Sequence, residues 1–163
     1  MKNTILKFTY IFLLFFSLTN CNNDDDDMQN ITPNYSDVTL NYIQAKESLL
    51  SVNNVTTTNS TGIIWQPNTY VLFKTNSGIY GKFKVVSIDA LDNYALYIDV
   101  VLYNNNGNIN SSINNLKIRG TYLCDLDTLT ESSTNADFHW SRETNTLTEF
   151  KPKNGAKYYV QLQ

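Results

Sequence analysis

The stretch TYVLFKTNSGIYGKFKVVSID, residues 69–89, determines the fold class that we predict for this chain. Its first seven residues are rich in aromatic and β-branched side chains, which favour extended strands. The following Asn-Ser-Gly is a turn signal, since glycine adopts a positive φ without steric cost. The remainder alternates, with Lys82 and Lys84 on the face opposite Phe83 and Val85. This pattern predicts an antiparallel hairpin whose lysine face is solvated and whose apolar face lies in the core.

A second hairpin is predicted from residues 93–103 and 115–124, which flank the asparagine-rich loop 104–108. In its second strand, alternation places Leu116, Ile118 and Tyr122 toward the core. Three further strands are predicted at residues 136–140, 146–150 and 156–162. Residues 38–52 are interpreted as a strand followed by a short helix or loop, and residues 53–62 as a polar loop.

Strands at this spacing, separated by Gly and Asn turns, are typical of all-β domains. We therefore predict a single all-β domain over residues 37–163, folded as an antiparallel β-sandwich or a small barrel. A chain of this length buries a core of its own.

The N-terminus has the charge order of an export signal. Lys2 and Lys7 precede an apolar run over residues 8–18, which is shorter than the roughly 20 residues that span a bilayer. A short basic region followed by a short apolar run is typical of a signal peptide. We assign the signal peptide to residues 1–20.

The apolar run ends in Leu18-Thr19-Asn20-Cys21, which resembles the lipobox of bacterial lipoproteins. The resemblance implies cleavage before Cys21 and acylation of that cysteine. Each buried methylene of an acyl chain contributes roughly 0.8 kcal/mol, so two or three chains hold a small domain at a membrane. The expected partner of the N-terminus is therefore the membrane itself, through a lipid anchor.

Four consecutive aspartates, Asp24, Asp25, Asp26 and Asp27, follow Cys21 closely. This arrangement resembles the acidic export signal of surface-exposed lipoproteins in the Bacteroidota. The resemblance implies an outer-membrane protein exposed at the cell surface. Because runs of like charge extend and stay solvated, we predict a disordered tether over residues 21–36.

Charge and cysteine content exclude several classes of function. The full chain has 12 basic and 15 acidic residues; removal of Lys2 and Lys7 with the signal peptide leaves 10 against 15, a net charge of −5. Such an acidic chain lacks the basic face that nucleic acids require.

If Cys21 is acylated, Cys124 has no partner for an intramolecular disulfide, and its apolar setting predicts a small buried side chain.

Few residues suggest catalysis. His139 is the only histidine, which argues against most zinc sites. A Cys124–His139 pair with an aspartate is formally conceivable, but the surrounding sequence favours a buried thiol. The acidic residues select no pair for glycoside hydrolysis. We therefore predict a protein that is not an enzyme and has no catalytic residues, cofactor or metal site.

Two observations near residue 127 remain open. Asp125, Asp127, Glu131 and Asp137 could offer oxygens to Ca²⁺, but their spacing matches no EF-hand, and we interpret them as solvated turn carboxylates. Asp127-Thr128-Leu129 is similar to the three-residue O-glycosylation sequon of exported Bacteroidota proteins, which would place a glycan on Thr128.

Aromatic residues make up 13% of the chain and supply the candidate binding residues. Trp65, Tyr80 and Trp140 would suit stacking on sugar rings or on a partner protein if they face outward. Residues 62–162 also resemble small exported bacterial β-domains with the pattern Gly-X-Tyr-Gly-Lys, aromatic-X-Trp and Asn-Gly-Ala, which implies one domain and no particular substrate. The sequence favours a non-catalytic module that binds a glycan or an envelope protein, with a purely structural envelope protein or a small hydrolase as alternatives.

Overall fold

The computed structural model describes residues 32–162. The helical elements are a short α-helix, α1 (Leu40–Ala45), and two 3-10 turns, Tyr35–Asp37 and Glu47–Leu49. The strands are β1 (Val55–Asn59), β2 (Gly62–Ile63), β3 (Tyr70–Lys74), β4 (Tyr80–Asp89), β5 (Ala95–Tyr103), β6 (Ile109–Ile118), β7 (Tyr122–Asp125), β8 (Thr130–Glu131), β9 (Phe138–Arg142), β10 (Thr148–Pro152) and β11 (Lys157–Gln161).

These strands form two antiparallel sheets packed face to face, so the predicted β-sandwich is confirmed. The first sheet has the order β11-β3-β4-β5-β6 and the second the order β2-β1-β10-β9-β7-β8. The main core lies between them and contains a group of touching aromatic rings: Trp65, Phe73, Phe83, Phe138, Trp140, Phe150 and Tyr158. With Cys124 buried and unpaired in this core, stability depends on apolar burial.

Both predicted hairpins exist, and the second differs in its bounds. Strands β3 and β4 pair from Tyr70 with Lys84 to Lys74 with Tyr80. The partner of β5 is β6, which begins at Ile109 rather than at residue 115. The chain then leaves the first sheet, and β7 pairs with β9 in the second sheet. The predicted inward position of Tyr122 is therefore wrong, because the change of sheet resets the alternation.

The segment before β1 covers the outer face of the first sheet, and the strand predicted within residues 38–52 is wrong. Thr39 caps α1 by accepting the backbone N–H of Tyr42, which favours the helix. A second apolar cluster holds the segment on the sheet: Val38, Leu40, Ile43, Leu50, Tyr70, Leu72 and Tyr103. In consequence, Tyr70 to Phe73 of strand β3 are buried on both faces of the first sheet.

This cover overturns the prediction that Lys82 is solvated. The Lys82 ammonium donates to the carbonyl oxygens of Tyr35, at 2.6 Å, and Val38, at 2.8 Å. It also lies 4.5 Å from the centre of the Tyr35 ring. Burial lowers the pKa of Lys82. Tyr35, within the predicted tether 21–36, is thus in contact with the first sheet.

Residues 53–62 contain β1 rather than the predicted polar loop. The hydroxyl of Thr58 accepts from the backbone N–H of Thr148 at 2.9 Å and donates to the carbonyl of Thr146 at 2.7 Å. The Thr57 hydroxyl lies 2.7 Å from the Thr148 hydroxyl. These threonines look polar in the sequence, but in the structure their hydroxyls bridge two strands at a β-bulge.

The free edge of the first sheet is partly closed by the chain itself. Ser51 exchanges two backbone hydrogen bonds with Tyr158 of β11, at 2.9 and 2.8 Å. The last strand is thus paired on one side with β3 and capped on the other by Ser51. The lipidation residue Cys21 and the export residues Asp24 to Asp27 lie outside the described residues.

Candidate functional site

Two of the three candidate binding residues lie in the core. Trp65 is 1% exposed and Trp140 is 0% exposed, so neither ring presents a face to a ligand. Their rings are 6.2 Å apart between the two sheets, and the Trp140 indole N–H donates to the carbonyl of Tyr94 at 2.6 Å. The expectation that these two rings face outward is wrong, because both side chains point into the space between the sheets.

Tyr80, the third candidate, is half-buried and already engaged. Its hydroxyl donates to Glu47 at 2.7 Å and accepts from Lys74 at 2.9 Å. Lys74 also forms an ion pair with Glu47 at 2.7 Å. Hydrogen bonds from Lys74 and Tyr80 lower the pKa of Glu47. This triangle attaches the 3-10 turn Glu47–Leu49 to the first sheet, so Tyr80 has a structural partner within the chain.

The exposed aromatic residue in the described part of the chain is Tyr122, at 42% exposure. The guanidinium of Arg119 lies 3.6 Å from the centre of its ring. Glu131 holds Arg119 in this position. Its carboxylate forms an ion pair with the Arg119 guanidinium at 2.6 Å and accepts the backbone N–H of Arg119 at 2.5 Å. Together with Ser132 and Ser133, these side chains line a shallow depression of about 300 Å³.

The local backbone explains why Tyr122 reaches the surface. Gly120 lies so close to Asn93 that a Cβ atom would be 1.9 Å from its carbonyl oxygen, so only glycine fits there. Thr121 then adopts a φ of 71° and redirects the chain into the second sheet. Sequence alternation missed this site, although the Arg-Gly-Thr-Tyr run was a signal that the strand breaks.

The residues of the conceivable Cys–His pair are kept apart. His139 is opposite Leu123 in the ladder, while Cys124 is opposite Phe138. Because neighbouring residues of a strand point to opposite faces, the thiol and the imidazole lie on different sides of the sheet. Burial and the nearby acidic groups raise the pKa of the Cys124 thiol, which keeps it protonated and poorly nucleophilic.

Four carboxylates that could have served as an acid pair for glycoside hydrolysis are held by other groups. Asp92 pairs with Lys117 at 2.5 Å, and Asp99 pairs with Lys84 at 3.2 Å. Glu131 holds Arg119, as described above. Asp89 closes a turn by accepting the backbone N–H groups of residues 91 and 92. These four side chains form no facing pair around a cleft.

Three aspartates behave differently and come together at the end of the second sheet. Asp125 ends β7, Asp127 lies in the next turn and Asp137 directly precedes β9; their carboxylate oxygens lie within 4.8 Å of one another. Asp125 and Asp137 are buried, so the interpretation of solvated carboxylates is wrong for them. Glu131, predicted with this group, is engaged elsewhere.

Asp137 also links the two sheets. One carboxylate oxygen accepts the backbone N–H of Asn76 in the β3–β4 turn at 2.7 Å, and the other accepts that of Leu126 at 2.7 Å. Burial, and the charges of Asp127 and Asp125, raise the pKa of Asp137 to about 6 although these hydrogen bonds oppose the shift. Thr128, the predicted glycosylation residue, is exposed in the adjoining turn.

No helix among residues 32–162 has the length and apolar character needed to cross a bilayer. Comparison with models of known protein families, with curated proteins and with solved structures gives no significant match to this chain.

Proposed function

We propose that this chain is a lipid-anchored lipoprotein of the outer membrane, exposed at the cell surface, whose folded part is a non-catalytic binding module. The anchor is supported by the lipobox-like sequence before Cys21, and surface exposure by the aspartates Asp24 to Asp27. Binding rather than catalysis is supported by the separation of Cys124 from His139.

One observation carries the binding proposal: an exposed aromatic ring lies in a depression lined by charged and hydroxyl groups. Arg119 covers one face of the Tyr122 ring, and the ring, still 42% exposed, offers apolar surface against which a sugar ring can pack. Arg119, Glu131 and the two serines beside it supply hydrogen-bond donors and acceptors around that surface. The ligand class that uses both is a glycan.

The test is a glycan panel probed with a soluble form that begins at Asn22, which keeps the whole folded unit from Thr32 onward. We expect Tyr122→Ala to weaken binding at least about tenfold, equivalent to about 1.4 kcal/mol. The matched control is Tyr97→Ala. Like Tyr122, Tyr97 lies beside a cation that forms an ion pair, here Lys117 with Asp92, but it lies outside the depression. Equal losses in both variants would contradict the assignment of the depression.

A purely structural envelope protein is the second candidate, and the burial of Trp65 and Trp140 favours it. In that case wild-type protein binds no glycan at millimolar concentrations, and the Tyr122→Ala variant behaves like wild type in every assay.

The anchor is tested separately in cells. Cys21→Ser should abolish labelling with a radioactive fatty acid and release the protein from the outer-membrane fraction. Replacement of Asp24 to Asp27 by asparagine should leave acylation intact but protect the protein from protease added to whole cells. A Cys21→Ser protein that remains in the outer membrane would overturn the anchoring proposal.

A further inference from the structure

The cluster of Asp125, Asp127 and Asp137 lacks a positive partner. None of the salt bridges between residues 32 and 162 involves any of the three carboxylates. Placing several negative charges together at a partly buried site is unfavourable unless a cation or a proton compensates them.

Two buried oxygens, one on Asp127 of the cluster and one on Tyr158, have no hydrogen-bond partner among the described residues. The Oδ1 atom of Asp127 is buried without a donor. The Tyr158 hydroxyl is also buried without a partner, on a side chain that is only 4% exposed. Buried polar atoms in folded proteins are nearly always paired, by protein groups, ordered water or a bound ion, so these two oxygens are available to a ligand or to water at the cluster.

The Tyr158 side chain comes near the cluster, since Asp137 and Asp127 are among the charges that act on its hydroxyl. Its ring packs between sheets, with centroids 4.6 Å from Phe150 and 6.3 Å from Phe138. Burial, followed by the charges of Asp137, Cys124 and Asp127, raises the pKa of Tyr158.

We propose that Asp125, Asp127 and Asp137 bind a calcium ion, and that the Tyr158 hydroxyl donates to a carboxylate oxygen or to a water molecule on that ion. Ca²⁺ has oxygen ligands at about 2.3–2.6 Å, so two of its ligands lie at most about 5 Å apart. The oxygens of the cluster, all within 4.8 Å of one another, meet this condition.

The donor set favours calcium over other metals. All three side chains offer carboxylate oxygens, which suit hard cations such as Ca²⁺ and Mg²⁺ rather than soft metals. Mg²⁺ gives up its water reluctantly and demands octahedral geometry, which a site with buried ligands satisfies less easily.

The hydrogen bonds of the cluster hold it ready for an ion. Asp125 accepts the backbone N–H groups of Asp127, at 2.9 Å, and Thr128, at 3.2 Å, which fixes the turn. Asp137 is fixed by Asn76 and Leu126, and each of its oxygens keeps a further lone pair. An ion here would fasten the turn after β7 to the start of β9. We expect an affinity of about 10⁻⁴–10⁻³ M, as in other extracellular calcium modules.

The experiment measures thermal unfolding of the soluble protein, first in EDTA and then in millimolar calcium chloride, at constant ionic strength. We expect calcium to raise the melting temperature by about 5 °C. Magnesium chloride at the same concentration controls for general screening of the negative charge. Calorimetric titration with calcium should give one ion per chain.

Asp127→Asn is the key variant, since the Oδ1 atom it replaces has no hydrogen bond to lose. In EDTA this variant should melt above wild type, because one repulsive charge is gone, and calcium should no longer shift it. Asp125→Asn should behave likewise, since an amide oxygen can still accept the N–H groups of the turn.

The matched control is Asp89→Asn. Asp89 closes a turn of the same kind, accepting the N–H groups two and three residues ahead, but it lies outside the cluster. It should keep the full calcium shift. Three results would overturn the proposal: calcium leaves the melting temperature of wild type unchanged, magnesium raises it as much as calcium does, or calcium raises that of Asp127→Asn as much as that of wild type. In each case protons or water molecules, rather than a calcium ion, satisfy the cluster.

Discussion

The ring of Phe73 lies across Gly81, its direct partner on the neighbouring strand, so that a Cβ atom at position 81 would come 2.3 Å from Cζ of the ring. The same atom would lie 2.7 Å from the carbonyl oxygen of Val101. Gly81 is therefore a packing requirement of the core, where the absent side chain leaves room for an aromatic ring.

Gly81→Ala is expected to lower the free energy of unfolding by about 2 kcal/mol or more, because the methyl group displaces packed atoms on both sides. The loss in the free energy of unfolding is measured by urea denaturation, with unfolding monitored by circular dichroism. In a Phe73→Leu background the ring atoms are gone, and the same substitution should cost less. Strictly additive effects of the two substitutions would contradict the contact as the cause.

The two core tryptophans should differ on substitution by phenylalanine. Trp140 donates a hydrogen bond to Tyr94, whereas the indole N–H of Trp65 is buried without a partner. Trp140→Phe should therefore destabilise the protein by about 1 kcal/mol more than Trp65→Phe. Urea denaturation monitored in the far ultraviolet compares them. A larger loss for Trp65→Phe would show that packing outweighs the hydrogen bond.

Lys82→Met is expected to lower the free energy of unfolding by about 2 kcal/mol, since two buried carbonyls lose a charged donor while the apolar stem is kept. Lys84→Met is the control, because Lys84 lies on the same face of β4 but forms a partly exposed ion pair with Asp99 and lies 5.5 Å from the centre of the Tyr35 ring, without holding a buried carbonyl. It should cost less than about 1 kcal/mol. Limited proteolysis should cut the segment before β1 faster in Lys82→Met alone.

Alkaline pH should unfold the domain through its buried tyrosines. Burial, with smaller effects of Tyr42 and Tyr159, raises the pKa of Tyr70 from 10.0 to about 12. The folded state holds this proton more tightly than the unfolded state, so its stabilising effect is complete below pH 10 and is lost as the pH rises to about 12. Unfolding monitored across this range measures the loss.

Tyr70→Phe tests this linkage. At neutral pH the variant should be less stable by about 1 kcal/mol, because the hydrogen bond from Tyr70 to the carbonyl of Pro33 is removed. Above pH 10 the stability of Tyr70→Phe should fall less steeply than that of wild type. The difference in the free energy of unfolding between the two proteins should therefore become smaller as the pH rises. Parallel curves would indicate that another group titrates.

The sequence predicts the parts of the fold in which alternation and turn residues agree. The β3–β4 hairpin follows from residues 69–89 because a Gly turn separates two β-branched runs. The burial of Lys82 could not be predicted, since it depends on a segment more than forty residues earlier that covers one face of the sheet. The interpretation of residues 38–52 as a strand failed for a related reason: helix α1 is fixed by a cap and by the sheet beneath it.

The candidate sites were foreseen unevenly. Asp125, Asp127 and Asp137 were grouped correctly by their proximity in the chain, but the contribution of Tyr158 depends on packing between the sheets. Tyr122 was assigned to the core because a period of two was carried through Gly120 and Thr121, where the chain changes sheets. Burial of the tryptophans follows the general preference of large rings for the space between sheets.

The contact between Ser51 and Tyr158 also bears on how copies of this protein behave at high density. A bare outermost strand invites pairing with a neighbouring molecule, which is a common start of aggregation. Here the chain's own backbone occupies part of the β11 rim. Removal of the residues up to Ser51 would take away these hydrogen bonds and leave the edge of β11 open to strand addition by another molecule, so the leading segment protects the protein's solubility as well as its fold.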